Sequence, residues 1–145
     1  MILLQIQQLM NPSVVSIDPN ESAALAARLL ARYNVGALPV CSASGALVGV
    51  VTDRDIVLRC VAAGEDPVQL PVRAIMSRRP AAVAPADDPR QAVRLMSGQQ
   101  VRRLPVVDQG KVVGMLSLGD LAKCGRWEME ISRALTDISE TIRHP

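Results

Sequence analysis

What this chain lacks narrows its function before any motif is read. Its 145 residues include no Phe, one Tyr (Tyr33), one Trp (Trp127) and one His (His144). With almost no rings for bases to stack on, and a net charge of only +2, it offers neither the platform nor the field that nucleic-acid partners need. His144 is one residue from the C-terminus, so no Ser or Cys in a folded region has a histidine base. No His/Cys/carboxylate group shows metal-ligand spacing either. The reading is therefore a non-enzyme, with no catalytic residue and no metal site. Cys41, Cys60 and Cys124 are odd in number and form no C-x-x-C pair, which points to reduced thiols. No run approaches the roughly 20 apolar residues of a membrane helix. Met1 to Met10 lacks the basic start and cleavage site of a signal peptide. No membrane association and a cytoplasmic location are expected.

What is present is apolar and aliphatic. Hydrophobic residues make up 49% and charged residues 21%, a globular composition whose core must be built from Leu, Val, Ile, Ala and Met. Leu3 to Met10 predicts a short helix and Val14 to Ile17 a short strand. Asp18-Pro19-Asn20-Glu21 predicts a helix start, with Asp as N-cap, Pro at N1 and Glu at N3; that helix runs to about Tyr33. Ala37 to Cys41 and Ala46 to Val51 read as strands around a turn at Ser42-Ala43-Ser44-Gly45. A second helix follows Thr52 to about Ala63, which completes the order β-α-β-β-α. Arg78-Arg79 reads as a solvated loop before Pro80.

The same order then returns. Met10, Pro19, Ala26, Arg28 and Leu29 recur 66 residues later as Met76, Pro85, Ala92, Arg94 and Leu95. Leu38-Pro39-Val40 recurs as Leu104-Pro105-Val106. One residue is missing from the second hairpin turn, where deletions are best tolerated, and the offset becomes 65 for Gly45, Gly49 and Asp55 against Gly110, Gly114 and Asp120. A period this long is a duplicated half-domain and not a solenoid.

In both copies an apolar strand runs into a hydroxyl and a carboxylate at a helix start: Thr52 with Asp55, and Ser117 with Asp120. Each pair fits a capping box, in which both side chains only satisfy helix N–H groups. Each also fits a phosphate site, because a helix start carries orphan donors and favours negative charge. Both corners further follow a Leu-Pro-Val strand and a Gly at matching distances, which capping does not require.

The motifs x-x-Leu-Pro-Val and Gly-h-h-Thr/Ser-x-x-Asp (h apolar), twice over in this order, resemble a tandem pair of cystathionine-β-synthase (CBS) domains. The resemblance spans about residues 5–124 and is similar in scale to small bacterial proteins made of little besides a CBS pair. It implies an α+β (α/β-like) fold: two β-α-β-β-α repeats, at 5–66 and 71–124, packed with pseudo-twofold symmetry. It also implies a regulatory module for AMP, ADP, ATP or S-adenosylmethionine, with Thr/Ser contacting phosphate and Asp accepting from ribose. Carried over, one cleft uses Thr52, Asp55, Ile17, Gly36 and Ala37; the other uses Ser117, Asp120, Val83, Arg102 and Arg103. Arg54, Arg102 and Arg103 are placed to pair with phosphates. The second corner departs from the first, with Leu118-Gly119 in place of Asp53-Arg54, and Arg102-Arg103 in place of the small Gly36-Ala37. The first cleft is therefore the one expected to take the adenosine. Family members commonly pair as homodimers through helix faces, a role that the Ala- and Leu-rich helix at 21–33 suits, and they signal to a partner protein that the sequence does not name.

Beyond the repeats, Trp127, Ile131, Leu135, Ile138 and Ile142 recur every three or four residues, so 126–143 reads as an amphipathic helix. Its apolar stripe fits packing on its own domain or on a second subunit equally well.

Overall fold

In the computed structural model, which describes residues 3–143, each Leu-Pro-Val segment lies in the first strand of a β-hairpin. In the first hairpin β1 (Ala37–Cys41) pairs antiparallel with β2 (Leu47–Thr52), and Ala37 faces Thr52. The edge strand β3 (Ser77–Arg78) adds to β2 opposite Gly49 and Val50. In the second hairpin β4 (Arg103–Asp108) pairs antiparallel with β5 (Lys111–Ser117), and Arg103 faces Ser117. Pro39 and Pro105 have no N–H for the ladder, but their carbonyls accept from Ile17 and Val83, both at 3.1 Å. The strand expected at Val14 to Ile17 is thereby reduced to one parallel bridge, Ile17 with Val40, and Val83 with Val106 repeats it.

The chain divides into two compact units, Val15–Pro80 and a second one that joins the stretch up to Val14 to the stretch from Ala81 onward. These units are offset from the sequence repeats, since 5–14 packs with the second hairpin and 67–80 with the first. In the second unit Ile6 N donates to Asp87 O and Gln7 N to Pro85 O. These bonds divert the backbone donors, so the helix expected over Leu3 to Met10 is a single 3-10 turn, Ile6–Gln8.

In the first unit α1 spans Ala23–Tyr33. Ser22 is its N-cap, accepting from Leu25 N at 3.1 Å, and not Asp18 as the sequence suggested. The carbonyls of Pro19 and Glu21 accept from Arg73 N and Val72 N, and Ala23 N and Ala24 N donate to Leu70 O and Pro67 O, so the helix starts later. Asp18 instead turns the chain before it, accepting from Asn20 N at 2.8 Å. The helix α2 (Asp53–Ile56) continues as a π-turn, Val57–Val61. Arg78 is strand, not loop, because its backbone extends the β2 ladder; only Arg79 leaves it, with φ 50°. The core here is aliphatic except for Cys60: Ile17, Ala23, Ala26, Leu30, Leu38, Val40, Val51, Ile56, Val72 and Ile75 surround that thiol.

In the second unit α3 (Pro89–Gln99) is capped by Asp88, which accepts from Arg90 N at 2.9 Å, and α4 (Leu118–Ala122) follows β5. The tail helix α5 (Glu128–Arg143) packs on this same unit. Its Ile131, Ala134 and Ile138 enter the core formed by Val93, Met96, Leu104, Leu116 and Leu121, while Trp127 packs at the edge. Of the predicted stripe, Ile131 and Ile138 thus pack on their own unit, while Leu135 stays 46% exposed. His144 and the side chain of Ile142 lie outside the described residues.

Candidate functional site

Thr52 ends β2 in an extended conformation and is the N-cap of α2. Asp55 N donates to Thr52 Oγ1 at 3.1 Å, and Thr52 N donates to Asp55 Oδ2 at 2.9 Å. The corner is thus a complete capping box. Asp53 N reaches back to Gly36 O at 3.2 Å, and Ala37 sits opposite Thr52. Four residues that the sequence nominated, Gly36, Ala37, Thr52 and Asp55, are therefore one cluster. Gly36 and Ala37 are buried, whereas Arg54 is exposed, its backbone N–H held by Asp53 Oδ1 at 2.8 Å.

The second corner repeats this geometry. Asp120 N donates to Ser117 Oγ at 3.0 Å, and Ser117 N donates to Asp120 Oδ2 at 2.9 Å. Leu118 N donates to Arg102 O at 2.9 Å, and Arg103 faces Ser117. Arg102, Arg103, Ser117 and Asp120 are thus brought together as well. Both arginines are exposed and stand at the rim of an open hollow of about 320 Å³. Ser117 and Gly119 also line it, as do Ile131 and Leu135 of α5. These last two were not nominated from the sequence, because their spacing marked a packed stripe without saying what it faced.

Ile17 and Val83 are placed differently from the other nominated residues. They are 4% and 3% exposed, each bridged to the middle of the following Leu-Pro-Val strand, and their side chains belong to the two cores.

Elsewhere the chemistry is sparse. Among the described residues no three His, Cys, Asp or Glu side chains gather where they could hold a metal ion, and no helix is long and apolar enough to cross a membrane. All three cysteines are free. Burial pushes the Cys41 thiol up, against a smaller opposing effect of its hydrogen bond with Ser16.

Comparison with known proteins gives this doubled corner a family. The model of the CBS domain matches residues 6–61 and again 72–125, so the chain belongs to the CBS domain family and carries two copies of the domain. It is similar to the CBS domain-containing protein YhcV of Bacillus subtilis (strain 168), with 40% identity over 139 residues, 96% of this chain and 98% of that one. The crystal structure of Hypoxic Response Protein I, with two coordinated zinc ions, matches at a TM-score of 0.77 and 30% identity, covering 83% of this chain and 98% of that one. The CBS domain pair of protein MJ0100, in complex with 5′-methylthioadenosine and S-adenosyl-L-methionine, matches at a TM-score of 0.78. That match covers 86% of this chain and 97% of the other, and at 23% identity the likeness is one of fold.

Proposed function

We propose that the chain is a regulatory module, without catalysis of its own, that binds an adenosine-containing compound (AMP, ADP, ATP or S-adenosylmethionine) and relays its occupancy to a partner. One observation carries the reading: the capping atoms are engaged in a way that leaves their ligand-facing capacity intact. Thr52 Oγ1 accepts a hydrogen bond from Asp55 N, so its own proton is free to be donated to a phosphate oxygen. Asp55 uses Oδ2 for the cap, and Oδ1 makes no hydrogen bond among the described residues, so it can accept from a ribose diol. Capping and binding are compatible at the same two residues, and Ser117 with Asp120 repeat the arrangement.

The first corner is the stronger site for the purine, since Gly36 and Ala37 place no bulky side chain beside Thr52. Arg54 is the cation nearest in sequence to pair with a phosphate. A CBS pair of the same fold has been crystallised with two adenosine compounds, which supports the ligand class. Calorimetric titration with AMP, ATP and S-adenosylmethionine tests it. Heat from at least one at millimolar concentration or below is expected, and silence from all three rejects the reading.

A second reading, an interaction module with empty clefts, is favoured by the exposed apolar side chains of Val57, Leu58 and Val61, which are 55%, 49% and 66% accessible. The partner in that case is a second copy of the chain. Light scattering tests this second reading: Leu58→Asp is expected to lower the mass from dimer to monomer, and an unchanged mass rejects a dimer built on this face.

A further inference from the structure

We infer that the tail helix α5 is the wall of the second corner's ligand site, so that occupancy there and the docking of α5 stabilise each other. This rests on the nucleotide reading above and adds the element that responds to the ligand. The hollow beside Ser117 has a charged rim, Arg102 and Arg103, and an apolar side supplied by Ile131 and Leu135. Its volume of about 320 Å³ lies at the lower end of what small-molecule sites enclose. A phosphate-bearing ligand whose charge meets the arginines lays its uncharged body along α5. In the first unit, Val15–Pro80, only a single 3-10 turn, Val72–Ala74, follows the π-turn, and no long helix like α5. Val57, the counterpart of the hollow-lining Ala122, is exposed there instead.

The helix is held to its unit by a few core and polar contacts. It hangs on Ile131, Ala134 and Ile138 in the core, on the bond from Ser97 Oγ to the Asp137 carboxylate, and on Gln100 Nε2 donating to Asp137 O at 3.1 Å. The joint before it carries two left-handed residues, Gly125 at φ 70° and Trp127 at φ 57°. For Trp127 that conformation is uncommon and holds only because the surroundings impose it. A ligand that touches both the corner and the helix favours the docked state, and linkage makes the effect reciprocal. Leu135 reports on this contact best, because it lines the hollow yet is 46% exposed and can be changed without opening the core.

The test is amide hydrogen exchange of the full chain with and without 5 mM AMP, in wild type, Leu135→Ala and Leu135→Glu. AMP is expected to slow exchange in peptides covering 128–140 several-fold. Leu135→Ala should reduce that protection and Leu135→Glu abolish it, while protection of 52–58 at the first corner persists in both. Circular dichroism confirms that each variant is folded. If AMP protects the corner peptides but not 128–140, or if Leu135→Glu leaves the protection of 128–140 unchanged, α5 is not part of the site and the nucleotide reading stands alone. If AMP protects no peptide and produces no heat, the nucleotide reading fails and this inference fails with it.

Discussion

Met76 occupies the space where a side chain at position 49 would stand: a Cβ on Gly49 would lie 2.6 Å from Met76 Sδ and 2.8 Å from the carbonyl oxygen of Ser77. The methionine can shift, but the carbonyl belongs to β3, the strand next to β2, and has little freedom. Gly49→Ala is therefore expected to cost about 1–3 kcal/mol, the usual range for overpacking a filled site. Gly114 meets Met10 in the same way, with the carbonyl oxygen of Asn11 at 3.1 Å. Gly114→Ala should cost less, because the flexible Met10 takes up most of the clash. Urea unfolding of the two variants checks the order.

Asp55 caps α2, and on the proposed function it also accepts from ribose, two roles that substitution can separate. Asparagine keeps an oxygen to accept from Thr52 N, so Asp55→Asn should leave the unfolding midpoint nearly unchanged. It removes the charge that strengthens acceptance from ribose hydroxyls, so nucleotide affinity should fall about tenfold or more. Asp55→Ala should lose both, at about 1 kcal/mol of stability for the cap. Affinity that is equal in wild type and Asp55→Asn would leave the residue as a cap alone. Calorimetry and thermal unfolding read the two effects independently.

Ile131 is 7% exposed within the core of the second unit. Ile131→Ala is expected to destabilise that unit by about 2–5 kcal/mol through lost transfer energy and the cavity left behind. Met129, 80% exposed on the same helix, is the control, and Met129→Ala should change little. Denaturant melts of both variants show whether α5 contributes to the fold or merely lies on it.

Asp88 links stability to pH. Its carboxyl is held below the ordinary aspartate value, first by the backbone N–H of Arg90 and then by that residue's guanidinium. A lowered folded pKa means that the contribution is complete above the unfolded value, near pH 4, and is lost as pH falls through the lower folded value. Asp88→Ala should cost about 1 kcal/mol at neutral pH as a lost N-cap. The exposed Asp88–Arg90 ion pair, at 3.1 Å, adds little to that. Thermal unfolding from pH 6 to pH 2 should show wild type and variant converging below about pH 4.

The hairpins and corners were legible because their signals are local. Leu-Pro-Val, a turn with Gly, and Thr-x-x-Asp or Ser-x-x-Asp each fix a short stretch of backbone, and duplication supplied a second sample of each. The misreadings share a different cause, which is backbone partners distant in sequence. Asp18 looked like an N-cap by every nearby rule, yet Leu70 and Pro67 supply the carbonyls that set where α1 begins. Arg78 looked like loop because two residues carry no periodicity, and its strand exists only through the pairing with β2. For Ile131 and Leu135 the stripe gave the face but not its neighbour, because their place beside Ser117 depends on how α5 packs against α4.

The offset between repeats and units has a consequence for how the protein is made. Everything that buries the first core, from Ile17 to Ile75, is a continuous stretch that ends before Ala81 is synthesised. That half can close while the ribosome is still translating the rest. Ile6 and Met10 precede that half in the chain, yet the partners that cover them, Leu116 and Gly114 among them, come more than a hundred positions later. Until those partners are made, the apolar side chains of Ile6 and Met10 have no groove to enter, and it is there that a holding chaperone would find its grip.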